Sequence, residues 1–256
     1  MADLPEKVNY DQQELNSRDT FLTVAENAGF FADAAVQYQE LMMMYDCAIK
    51  EVRTKLEVLN SELSVRYNRN PIEFISCRIK KPASIVRKLK KRNLPITLAS
   101  LEENISDIAG IRVICSFIDD IYAIASMLTR QDDITLVEEK DYIQHPKANG
   151  YRSLHLIVQI PVFFSDVTKH MKVEIQIRTI AMDFWASLEH QLKYKKDLGG
   201  NEEKIMQELY ECAQTISATD EKMLAIRKEI EETHPDFEGK TTDPLAALEK
   251  LNVPLP

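Results

Sequence analysis

A mixed α/β fold, a small sheet flanked by helices, follows from three observations in this 256-residue sequence. Short stretches of period-two alternation recur between residues 107 and 179, as half-buried strands require. Runs with apolar residues at three- and four-residue steps lie before, between and after them, as amphipathic helices require. The two patterns interleave along the chain, and such elements pack as layers around one core.

Taken in order, residues 1–28 are a polar N-terminal segment. From 29 to 66, the spacing of Phe31, Ala34, Ala35, Tyr38, Leu41 and Met42 predicts a buried helical face, here read as two helices. The methionine run 42–44 suits a core or an oligomer contact better than a cofactor box. NRNP at 68–71 stops the helix. Pro82 then occupies a first helical position, with Ser84, Arg87, Lys88 and Lys91 on one stripe and Ile85 and Leu89 on another. DIAGIRVICSF (107–117) alternates as a strand, DDIYAIASMLTR (119–130) reads as a helix, and ITLVEEK (134–140) as a strand. After the turn-rich HPKANG come strands at YRSLHLIVQI (151–160) and MKVEIQIRT (171–179), then two helices, the second over 202–232. The α/β body with its N-terminal helices is assigned to 29–200, a C-terminal helix suited to oligomerisation to 201–233, and a disordered tail to 234–256.

Composition narrows the function. No apolar run approaches the length of a membrane span, and the acidic, polar N-terminus does not read as a secretory signal. Four scattered cysteines without metal-ligand spacing suit a reduced cytoplasm, the expected location. The six glycines form no phosphate-cradling loop, so any phosphate site must use side chains. Net charge is −9, yet residues 78–92, RIKKPASIVRKLKKR, carry eight Lys or Arg and no acid. Removing those eight from 32 leaves 24 basic residues against 41 acidic ones elsewhere. One compact cationic region on an acidic chain suits a local anionic ligand better than a long polymer.

The strand faces supply the chemistry. Tyr151, Ser153 and His155 share one face of their strand; Glu174, Gln176 and Arg178 share one face of theirs; Arg112 points away from the apolar set of its own, just after Asp107. If the apolar faces pack on the same helices, these polar residues converge on the opposite side. Two carboxylates there would hold a hard cation such as Mg²⁺. Lysines and arginines would neutralise phosphate oxygens, aromatic and guanidinium planes would stack on purines, and a carboxylate would take a proton from an attacking hydroxyl. A solvated strand face, a core histidine and a solvated helix stripe are the competing explanations of the same residues, and the residues alone leave both open.

GYRSLHL (150–156), VEIQIRT (173–179), DIAGIR (107–112) and RIKKPASIVRK (78–88) resemble, in family order, the synthetase motifs of the RelA/SpoT homologue family. The resemblance implies a nucleotidyltransferase-like fold and a small stand-alone alarmone synthetase of the stringent response. Such enzymes pass the β,γ-pyrophosphate of ATP to the 3′-hydroxyl of GDP or GTP, making ppGpp or pppGpp and AMP with Mg²⁺. It implies that Arg78 and Arg112 sandwich the adenine and that Lys80, Ser84 and Lys88 bind the ATP phosphates. It implies that Asp107 and Glu174 hold the metal, with Glu174 also the base. For the acceptor it implies Tyr151 stacked on guanine, Asn149 on the same base, Lys140, Lys147 and His155 on its phosphates, and Gln176 positioning the reacting groups. A homotetramer is implied too, through terminal helices; Ile205, Leu209, Cys212, Ile216, Met223, Ile226 and Ile230 would serve it. None of the five histidines is followed by aspartate, so no hydrolase activity is expected. Where some members bind pppGpp as an activator, Phe74 and Ser76 would line the site, but Glu57 and Asp183 stand in place of a lysine and an asparagine. That added negative charge weighs against pppGpp activation. The alternatives are a toxin-like pyrophosphokinase of the tRNA 3′ end, an RNA-binding relative with little catalysis, and a plain nucleotidyltransferase releasing pyrophosphate.

Overall fold

A computed structural model describes residues 10–67, 69–193 and 202–233, with side chains over 35–66, 69–192 and 202–233. The chain divides into two compact units at Met44/Tyr45. The described part of the first is helical; the expected tail from 234 lies outside the described residues.

One helix, α1 (Tyr10–Tyr67), stands where two were expected. No glycine or proline falls between Phe30 and Tyr67, so nothing local interrupts the backbone ladder. Pairs Asp46–Lys50, Arg53–Glu57 and Glu62–Arg66 at i,i+4 line its outer surface. Tyr45, Ala48, Ile49, Val52, Leu56 and Leu59 are buried on the other side. The helix stops before Pro71, as expected.

Next comes a strand not anticipated, β1 (Ile72–Ile79), followed by α2 (Pro82–Lys91), opened by its proline, and a short α3 (Leu98–Asn104), also unanticipated. The remainder is β2 (Ala109–Cys115), α4 (Ile118–Thr129), β3 (Thr135–Asp141), β4 (Leu154–Phe163), β5 (Thr168–Thr179), α5 (Ile180–Lys193) and α6 (Glu202–Thr233). The five strands form one mixed sheet in the order β1-β2-β5-β4-β3. Only β2 and β5 run parallel; the other pairs are antiparallel.

Register places the faces. Ile111 and Val113 of β2 lie beside Ile175 and Ile177 of β5, which lie beside Leu156 and Leu154 of β4. All six are buried, and α4 packs on this sheet through Ile121, Ile124 and Leu128. At about 25 cal/mol per Å² of apolar area, such burial is the main force holding the layers together. The same pairings set Arg112 beside Gln176 and Gln176 beside His155, one sheet face further on. Tyr151 and Ser153 precede β4 rather than belonging to it, which corrects the expected strand start.

Candidate active site

The polar face is built around β5. Gly110 of β2 is paired with Glu174, and Arg78 of β1 with Gly110. The position opposite Glu174 therefore carries no side chain, and Arg78 Cγ lies 3.5 Å from where a Cβ would stand. This leaves a cavity of about 230 Å³ lined by Ser76, Arg78, Gly110, Arg112, Glu174 and Gln176 among others.

Asp107, just ahead of β2, receives both Lys80 Nζ and Lys88 Nζ at 2.8 Å on Oδ2. Burial pushes its carboxyl pKa up, but the two lysines outweigh that and hold it below the ordinary aspartate value. The cationic side of α2 thus borders the site as the sequence predicts, with Ser84 one turn before Lys88. Oδ1 of Asp107 is buried without a partner.

Glu174 is also ionised. Burial pushes it up; His155 and the Gln176 amide overcome that and hold it below the ordinary glutamate value. Gln176 Nε2 donates to Glu174 Oε2 at 3.0 Å, and His155 Nδ1 lies 3.6 Å from Oε1. The Asp107 charge acts on Glu174 in the opposite sense, so the two carboxylates sense one another. Among the described residues no group of three or more His, Cys, Asp or Glu could hold a metal ion. A pair is nonetheless what Mg²⁺ uses when substrate phosphates and water complete its shell, and the unpartnered Asp107 oxygen fits that role.

On the β4 side, Tyr151 OH lies 2.8 Å from His155 Nε2, and Tyr142 packs edge-on to both rings. Lys147 Nζ sits 4.4 Å from the Tyr142 ring centre and 4.6 Å from that of Tyr151. Burial pulls its ammonium pKa down. Asn149 faces Glu189 and the Tyr151 backbone N–H, which ties it to the loop. Lys140, beside His155 in register, pairs with Glu138 at 2.9 Å and is half-exposed. Gly150 is at φ +87°, and a Cβ there would meet Ala213 of α6 at 2.5 Å, so only glycine suits both the backbone and the contact.

Three features escaped the sequence reading. Ser153 is fully buried; its hydroxyl donates to Ile177 O and accepts from Arg178 Nε. Tyr142 completes the aromatic cluster, a residue that no period marks. Asp183 holds Arg112 at 3.3 Å and Arg178 at 3.1 Å, so its charge is taken up by two arginines. Glu57 pairs with Arg53 on α1.

A sheet that is apolar toward its helices thus carries Glu174, Arg78 and Arg112 around a cavity on its other face, with Asp107, Lys80 and Lys88 paired ahead of β2, an arrangement suited to a phosphate-bearing ligand. Residues 77–199 match the model described as "Region found in RelA / SpoT proteins". The chain is 45% identical over 190 residues to GTP pyrophosphokinase YwaC of Bacillus subtilis, covering 74% of this chain and 90% of that one. To GTP pyrophosphokinase YjbM of the same organism it is 38% identical over 204 residues, covering 80% and 95%. The small alarmone synthetase 1 of B. subtilis, crystallised with its product pppGpp, superposes with a TM-score of 0.69 at 38% identity, over 76% of this chain and 98% of that one. Small alarmone synthetase 2 of B. subtilis gives 0.67 at 44% identity, over 75% and 98%. The chain belongs to the RelA/SpoT family, among its small alarmone synthetases.

Proposed function

We propose that the chain is a GTP pyrophosphokinase that moves the β,γ-pyrophosphate of ATP onto the 3′-hydroxyl of GDP or GTP. The observation that carries this is Glu174: a buried, ionised carboxylate lining a cavity, with arginines on one side and a Tyr–His pair on the other. In this reading Arg78 and Arg112 hold the adenine. Lys80, Ser84 and Lys88 take the phosphates, the lysines exchanging their ion pairs with Asp107 for phosphate oxygens. Lys147, Tyr151, Asn149, His155 and Lys140 receive the guanine nucleotide. Glu174 accepts the 3′-hydroxyl proton as that oxygen attacks the β-phosphorus, and the bond to AMP breaks. Asp107 and Glu174 would hold Mg²⁺, which supplies charge neutralisation on the transferred group. Exposed Met223, Ile226 and Ile230 on α6 support self-association, to be checked by light scattering. Among the described residues no helix is long and apolar enough to cross a membrane.

The test is product analysis by anion exchange after incubation with ATP, GDP or GTP, and Mg²⁺. Equal amounts of AMP and a more strongly retained guanosine polyphosphate are expected, both lost with EDTA. AMP without that product would overturn the assignment and make the tRNA 3′ end the next acceptor to try; pyrophosphate instead of AMP would overturn it in favour of a plain nucleotidyltransferase.

A further inference from the structure

Arg178 makes four hydrogen bonds while only 4% exposed. Nε donates to Ser153 Oγ at 3.3 Å and Nη1 to Asp183 Oδ1 at 3.1 Å. Nη2 donates to Tyr151 OH at 2.7 Å and to Gln176 Oε1 at 2.6 Å. A guanidinium can only donate, and this fact propagates outward along two arms.

In the first arm, Tyr151 accepts from Arg178, so its one proton is free for His155 Nε2, 2.8 Å away. A neutral imidazole that accepts at Nε2 carries its proton at Nδ1, the nitrogen facing Glu174 Oε1 at 3.6 Å. The acceptor-only carboxylate of Glu174 favours the same tautomer, but 3.6 Å is longer than a normal hydrogen bond, so the 2.8 Å bond to Tyr151 contributes most to the choice. In the second arm, Gln176 accepts from Arg178 with its carbonyl oxygen, so its amide nitrogen is the end that meets Glu174 Oε2 at 3.0 Å. Both Glu174 oxygens therefore face donors whose direction is set from behind. Without Arg178, Tyr151 is free to accept from His155 Nε2–H, and an imidazole lone pair then faces the carboxylate.

We propose that Arg178 is the positioning residue of this site: its donation to Tyr151 and Gln176 fixes the direction of both hydrogen-bond arms that end on Glu174. Asp183, shared with Arg112, holds the guanidinium in place and ties the acceptor side to the cavity. Only the kinetic part of its test rests on the pyrophosphokinase assignment.

The experiment is a long-range ¹H–¹⁵N correlation on full-length, histidine-labelled protein at neutral pH without nucleotide. His155 is identified by the signal lost in His155→Asn. The wild type is expected to show the Nδ1–H tautomer. Tyr151→Phe removes the hydroxyl but keeps the ring and the Arg178–Asp183 pair, and Arg178→Lys keeps the charge without the fork. Both are expected to shift His155 toward a mixed or Nε2–H signal. In turnover, Tyr151→Phe is expected to lower kcat about tenfold with acceptor KM little changed, because the ring face remains. An Nε2–H signal in the wild type, or an unchanged Nδ1–H signal in Tyr151→Phe, would overturn it. If Arg178→Lys fails to fold, the Tyr151→Phe spectrum decides alone. If no turnover occurs with any guanine acceptor, the function assignment fails while the tautomer still tests Arg178.

Discussion

Arg178 and Arg227 both bind carboxylates at low exposure, yet their surroundings differ. Arg178 reaches from Asp183 to Tyr151 and Gln176, and through them to Glu174, which lines a cavity. Arg227 of α6 binds Asp119 of α4, approaches Asp120 and Glu231, and lays its guanidinium 4.7 Å from the Phe117 ring centre. Arg69 binds the same Oδ1 of Asp120 at 2.6 Å, while Oδ2 is buried without a partner. One network ends on a carboxylate that lines a cavity; the other joins two helices. Buried charge by itself therefore marks no site. What marks one is where the chain of partners ends.

The sharpest way to break this comparison is at the end of the first network. Glu174→Gln is expected to lower guanosine polyphosphate formation by about a thousandfold, within the range for loss of a general base, while the melting temperature stays within about 2 °C. Anion-exchange product assay and thermal denaturation measure the two. Next, Arg112→Ala is expected to raise KM for ATP about five- to hundredfold, from loss of about 1–3 kcal/mol of guanidinium stacking on the adenine, with little change in acceptor KM. Steady-state kinetics varying each nucleotide separately would show it.

The second network should respond the other way. Arg227→Met is expected to cost about 2 kcal/mol, or about 4–8 °C in melting temperature, with kcat altered by less than about twofold. A large kcat loss at unchanged stability would erase the contrast between the two arginines. The smallest effect belongs to Asp220, whose carboxylate accepts from Thr179 Oγ1, the hydroxyl that also accepts from Met182 N at the start of α5. Burial pushes its pKa up; the Thr179 bond offsets this only in part. A raised folded-state pKa contributes stability that is fully present below the ordinary aspartate value and is lost as pH rises through the raised one. Asp220→Asn, which keeps an acceptor and drops the charge, should change the melting temperature by less than about 2 °C at pH 7. Relative to wild type, it should gain on going from acid to neutral pH. Denaturation scans across that range would test the sign.

Much of the fold is legible in residue spacing. The start of α2 at Pro82, the end of α1 before Pro71, and the strands carrying Ile111, Leu156 and Ile175 follow from local pattern. Strand β1 was missed because IEFISCRI shows little apolar contrast: Phe74 is half-exposed on an edge strand, and the basic run beginning at Arg78 drew the segment toward α2. α1 was divided because its buried face is irregular, although no helix breaker interrupts it. Of the candidate site, Arg78, Arg112, Glu174 and Gln176 line the cavity, and Lys80 and Lys88 meet on Asp107. The strand period places Arg178 on the polar face but assigns it no role, since a period says which way a side chain points and not what it meets.

Backbone geometry lets a sequence determine faces: alternate residues on a strand and every third or fourth on a helix share a side, whatever surrounds them. That placed Glu174, Gln176 and Arg178 together, and Lys88 with Ser84. Only the tertiary structure decided that Gly110 lies opposite Glu174, that His155 lies beside Gln176, and that Lys80 and Lys88 share one oxygen of Asp107. Those depend on strand order and register, which are set by packing between segments far apart in the chain. The direction of each hydrogen bond around Glu174 depends on them in turn, because a donor-only guanidinium orients its neighbours only where the fold has brought them within reach.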